Sequence, residues 1–156
     1  MKHTFILSAI ASIAFAFGSL QNSSAHCQVP CGIYDDPARI TALLEHVTTI
    51  EKSMKQIIEL SAEPKKNANQ LVRWTNAKEH HSDDLSKIVT YYFMTQRIKP
   101  PKEASDKAAA EKYTKELTLL HHMLVHAMKC KQTTDVAHCE KLRGLITTFK
   151  TSYMAK

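Results

Sequence analysis

From Ile40 onward the apolar positions recur every three or four residues. Ile40, Leu43, Leu44, Val47, Ile50, Met54, Ile57 and Ile58 form the first such series. That spacing predicts one buried face of an amphipathic helix. Asp36 followed by Pro37 predicts its start, an acceptor at the N-cap and then proline at the first helical position. Glu63-Pro64 predicts its end. A second series, Leu71, Val72, Trp74, Leu85, Ile88, Val89, Tyr92 and Phe93, predicts a helix starting near Asn67 or Asn69 and stopped by Pro100-Pro101. The third begins near Ser105, passes Tyr113, Leu117, Leu120, Leu124, Val125 and Met128, and ends near Cys130. A fourth follows Thr133-Thr134 with Val136, Cys139, Leu142, Leu145, Ile146 and Phe149. Gly144 inside it costs about 1 kcal/mol relative to alanine.

Four helices with short connections predict an all-α fold, an antiparallel up-down four-helix bundle. The methionines and leucines of all four series are expected in its core. No internal repeat or low-complexity tract interrupts the series. The residues just before Pro37 lack helical periodicity, so they are expected to form an irregular N-terminal arm.

The start of the chain reads differently. Lys2 is followed by an apolar run, Phe5 to Leu20, broken only by Ser8, Ser12, Gly18 and Ser19. Ser23 and Ala25 place small residues at −3 and −1 of a signal-peptidase cut after Ala25. The run is short for a membrane span, which needs about 20 apolar residues. The expectation is therefore a removed signal peptide over residues 1–25, export to a periplasmic or extracellular location, and no stable membrane anchor. The mature chain is then one domain, 26–156, with the bundle over 37–156.

Charge narrows the partners only a little. Lys2 is the one charged side chain in the leader, so its removal lowers the net charge from +6 to +5. The basic residues are dispersed through amphipathic segments and make no stripe, which argues against a nucleic-acid partner. A small anion drawn into a positive field remains compatible.

The chemistry gathers at the expected cut. Residues 26–34 read H-C-x-x-P-C-G-x-Y. Cleavage after Ala25 makes His26 the N-terminus, so an α-amine, an imidazole, an amide nitrogen and the thiols of Cys27 and Cys31 fall within six residues. Pro30 restricts the backbone and Gly32 permits dihedrals closed to other residues, so both shape a tight hook. Thiolate, imidazole and amide nitrogen suit a square-planar or tetragonal ion, nickel(II) or copper(II). Zinc prefers four side-chain ligands in a tetrahedron, and this segment offers three.

This window resembles the metal hook of the nickel superoxide dismutases, whose mature chains begin H-C-x-x-P-C-G-x-Y. The continuation Asp35-Asp36-Pro37-Ala38-Arg39-Ile40, the pair Tyr92-Phe93 and the diproline Pro100-Pro101 are also similar to that family, whose fold is a four-helix bundle. The resemblance implies an enzyme that converts superoxide to oxygen and hydrogen peroxide by cycling one nickel ion per chain between +2 and +3. It implies that His26 gives its α-amine and, to the oxidised metal, its imidazole. Cys27 would give a thiolate and its backbone nitrogen, and Cys31 the second thiolate. Tyr34 would limit access to the reacting face and order water there, with Tyr92 around the same site. A homo-oligomer, a hexamer in the family, and a processing peptidase are implied as partners. The family's glutamate and arginine around the first histidine have no secure counterpart: Thr41 falls at the glutamate's place, and Arg73 and Lys78 compete for the arginine's.

Other readings stay open at this level. The same hook could store or deliver nickel or copper without turnover, or Cys27 and Cys31 could pair as a disulfide. A thiol–disulfide redox protein is disfavoured, since no thioredoxin-like βαβ pattern accompanies the cysteines. Cys130 and Cys139 flank the last turn. They either close a ten-residue loop, worth about 3 kcal/mol in the chain-entropy model, or stay as two buried thiols. His122 and His126, four apart on one helical face, are the minimum for a second metal site. His80-His81 and His121-His122 read as solvated or interfacial.

Overall fold

The computed structural model describes residues 35–155 except residue 104. The leader and the hook, 26–34, lie outside the described residues. Helix α1 spans Asp36–Leu60 and α2 spans Pro64–Lys87. The α2 rod runs on, with helical dihedrals at Ile88, into a π-helical segment, Ile88–Arg97. Helix α3 spans Lys107–Gln132 and α4 spans Ala137–Met154. Among the described residues there is no strand, and no helix is long and apolar enough to cross a membrane.

Each helix packs on its neighbours in the chain, and α4 closes back on α1. With three residues joining α1 to α2 and four joining α3 to α4, consecutive helices run antiparallel. The core is the expected periodic set: Leu43, Val47, Ile50 and Met54 meet Leu85, Val89 and Phe93, then Leu120 and Met123, then Leu142, Ile146 and Phe149. The fold is the predicted four-helix bundle.

Boundaries and one face differ from expectation. Helix α1 begins at Asp36, with Asp35 as an N-cap that makes no side-chain bond. Asp36 is therefore free to bond elsewhere. Pro64 does not merely end the first helix but starts the second, at the position where its missing N–H is harmless. Asp106 rather than Ser105 caps α3, its Oδ1 accepting from the Ala109 amide at 2.9 Å.

The larger correction concerns the tip of the α1–α2 hairpin. No residue from Lys55 to Ala77 is buried. Ile58 and Val72, assigned to apolar faces by spacing, are 55% and 59% exposed. The buried positions of α1 stop at Met54 and those of α2 begin at Lys78, so the hairpin projects past the cover that α3 and α4 provide. Met128, expected in the core, is 49% exposed as well. Gly144 lies within an unbroken α4 on an open face, with nothing within 4 Å of where a Cβ would stand.

The root of the arm as a candidate functional site

The hook residues His26, Cys27, Pro30, Cys31, Gly32 and Tyr34 fall outside the described residues. The structure does define what the arm is attached to. Asp36, two positions after Tyr34, opens α1 at one end of the bundle and takes donors from two other elements. Its Oδ1 accepts from the Tyr92 hydroxyl and pairs with Arg97 Nε at 3.0 Å. Its Oδ2 accepts from the Tyr153 hydroxyl at 2.7 Å. Arg97 also donates to the Tyr92 hydroxyl at 2.9 Å, and its guanidinium stands 4.9 Å from the centre of the Tyr92 ring. Arg39, one turn along α1, lies 5.6 Å from that ring centre.

The π-helical winding makes this cluster. In an α-helix, residues five apart point about 140° away from each other, from 3.6 residues per turn. Bonding from i to i+5 stacks them instead. Ile98 N–H donates to the Phe93 carbonyl at 2.9 Å, and the Thr95 hydroxyl and Gln96 amide reach back five residues to Thr90 and Tyr91. Tyr92 and Arg97, also five apart, thus share one face, while Phe93 stays in the core. There Phe93 meets Phe149 edge-on at 5.0 Å and Tyr153 at 5.6 Å, and Phe149 and Tyr153 stack at 5.3 Å. The aromatic wall holds Tyr153 against the carboxylate.

Electrostatics follow from the contacts. Burial pushes the Asp36 carboxyl up, but hydrogen bonds from Tyr92 and Tyr153 and the Arg97 charge outweigh it and hold the carboxyl below its ordinary range. Burial first, and then the bond to Asp36, raise the Tyr92 and Tyr153 phenols. At neutral pH the cluster is one carboxylate held by two phenol hydrogen bonds and an ion pair to Arg97. It is a clamp on the first residue of α1.

Tyr92 is therefore buried against the first residue of α1. Arg97 and Tyr153 were not legible as partners: α-helical periodicity turns Arg97 away from Tyr92, and nothing in the sequence ties residue 153 to residue 36. Neither residue weighed for the family's arginine stands here. Arg73 is exposed on the projecting hairpin. Lys78 is 4% exposed and donates to the carbonyls of Cys130, at 2.9 Å, and Lys131, at the end of α3. Thr41 is exposed and bonds back to the Pro37 carbonyl.

The remaining candidates separate from the arm. His126 faces His138 of α4 rather than completing a site with His122, Nδ1 to Nδ1 at 3.2 Å. His81 pairs in the same way with His46 of α1 at 2.8 Å, and His80 bonds Asp84. His121 and His122 are exposed. Among the described residues no group of three or more His, Cys, Asp or Glu is arranged to hold a metal ion. Cys130 and Cys139 are free, buried thiols.

A sequence model of the family "nickel-containing superoxide dismutase" matches residues 21–156. Searches of curated proteins and of solved structures gave no match. The family match spans the hook, the clamp and the whole bundle. The chain belongs to the nickel-containing superoxide dismutase family, and is accordingly a nickel-dependent oxidoreductase acting on superoxide.

Proposed function

We propose that cleavage after Ala25 frees His26 and that residues 26–34 then form the nickel site. The carrying observation is the coincidence of the H-C-x-x-P-C-G-x-Y window with a small-residue cut site, inside the span matched by the family. The donor set fits the metal: two thiolates, an amide nitrogen and an amine are the electron-rich, planar-favouring ligands that nickel(II) takes. Nickel bound there supplies one-electron redox chemistry between +2 and +3.

The chain's own residues divide the remaining work. The His26 α-amine and imidazole, the Cys27 amide nitrogen and the Cys27 and Cys31 thiolates would hold the metal and give it an electron-rich donor set. Pro30 and Gly32 turn the segment so that both sulfurs face inward. The Tyr34 phenol restricts access to small molecules and orders water. Two superoxide ions and two protons become one oxygen and one hydrogen peroxide. Tyr34 is two residues from the clamped Asp36, so at most about 7 Å of extended chain separates their Cα atoms. The clamp by Tyr92, Arg97 and Tyr153 thereby limits where the hook can stand.

The same reading includes export, a processing peptidase and a homo-oligomer, hexameric in the family. Residues 1–20 lie outside the matched span, which favours an appended leader. Ile58 and Val72, exposed on the projecting α1–α2 hairpin, favour burial against a second copy. The test is superoxide dismutation and nickel content of protein starting at His26, beside protein carrying one extra residue before it. The processed form is expected to be active with about one nickel per chain, as one donor set allows. Equal activity in the extended form would remove the α-amine from the mechanism.

A further inference from the structure

Three sulfur atoms meet in the core where α3 ends and α4 begins. Cys130 Sγ lies 3.9 Å from Cys139 Sγ, and Cys139 Sγ lies 3.8 Å from Met54 Sδ of α1. All three side chains are fully buried. The nickel chemistry of the hook uses none of them, and the turn at 133–136 is all that separates the two cysteine-bearing helices. We propose that Cys130 and Cys139 are a modification site for the enzyme's own product: hydrogen peroxide oxidises the pair to a disulfide that staples α3 to α4.

The geometry sets the order of events. The sulfurs are in van der Waals contact and must close by about 1.9 Å to reach bonding distance, a movement within reach of side-chain rotation beside a turn. Cys139 is the third residue of α4, where the helix dipole favours a thiolate. Cys130 sits in the last turn of α3. Its thiol is pushed up by the hydrogen bond to Cys139 and by burial, and that same bond lowers Cys139. Its place in the first turn of α4 makes Cys139 the attacking sulfur and Cys130 the resolving one.

The steps balance. The Cys139 sulfur attacks one peroxide oxygen, the O–O bond breaks, and a sulfenic acid and one water result. The Cys130 sulfur then attacks the Cys139 sulfur, the S–O bond breaks, and a second water leaves with the Cys130 proton. Two thiols are oxidised to one disulfide while one peroxide is reduced to two waters. The established reaction supplies the oxidant, so no other partner is needed.

The experiment uses the nickel-loaded protein, isolated reduced and treated with a small molar excess of hydrogen peroxide. Denaturation, alkylation and cleavage before aspartate follow. Cuts before Asp35 and Asp135 separate the hook cysteines from this pair and Cys130 from Cys139. Alkylation of both cysteines should be lost together, with the fragments flanking Asp135 joined and two hydrogens lighter. The thermal midpoint should rise by about 10 °C for a loop of this size, and the Cys130→Ala/Cys139→Ala protein should show no rise. A superoxide source should produce the same link, and catalase should suppress it. Cysteines that remain alkylatable would overturn the proposal, as would oxygen added to Met54 or Cys139 without a link. Because peroxide is added directly, this outcome does not depend on the hook being the nickel site.

Discussion

At the arm end of the bundle one carboxylate, Asp36, collects donors from the π-helical segment and α4. Beside the turn between α3 and α4 one ammonium, Lys78, collects acceptors from the end of α3. Each gathers parts of the chain more than 50 residues apart. The difference lies in exposure. Lys78 is 4% exposed and neutralises carbonyls that α3 leaves unpaired. The Asp36 side chain is 29% exposed, and it is the first residue of α1. The Lys78 charge is sealed into the core, and the Asp36 charge stays half-open at the start of a helix.

That contrast breaks most sharply with Asp36→Asn. Losing the charge-assisted bonds should cost about 2 kcal/mol and loosen the root of the arm. Superoxide turnover of the folded, nickel-loaded protein should fall by about 10- to 100-fold, the scale of a small misplacement of reacting groups. Full turnover at unchanged nickel content would separate the clamp from the hook. Lys78→Met keeps the bulk and removes the donors. Leaving those carbonyls unpaired should cost about 1–3 kcal/mol in urea unfolding, with turnover per nickel unchanged.

Acidification should weaken the helix pairs before the clamp. Burial, and then the neighbouring imidazole, lower His46 and His126 below the ordinary 6.5. His46 also faces Asp84, Glu45 and His80, and His126 faces Lys129, Lys141 and His122. With folded pKa values depressed, the unfolded chain binds more protons, so stability present above pH 6.5 is lost as pH falls below it. Asp36 adds a second loss as pH falls below its ordinary 3.8. Urea midpoints across this range should decline in those two stages, and a midpoint flat down to pH 5 would contradict the first. Smallest of all, Gly144→Ala should stabilise the bundle by about 0.5–1 kcal/mol, since the site is helical and open. A loss of stability there would mean the open face is covered by something else.

The periodic series made the four helices legible, because a bundle buries one face of each and the spacing of Leu43, Val47 and Ile50 records that burial locally. The same logic failed at Ile58 and Val72. Spacing says which residues share a face; it does not say whether a neighbouring helix is long enough to cover it. The proposed hook could be read from the sequence for a different reason: its candidate donors are contiguous, within residues 26–31.

What the sequence determined by itself is whatever is written within one turn or one short segment: the helices and the family. The clamp could not be read that way. It needs a π-helical segment to bring Tyr92 and Arg97 onto one face, and packing of α4 on α1 to bring Tyr153 to Asp36. The contact of Cys139 with Met54, 85 residues away, required the same closure. Contacts between residues far apart in the chain form only when the core closes, since the entropy of joining distant segments is offset by shared burial. Tertiary structure therefore decided where the arm is fastened.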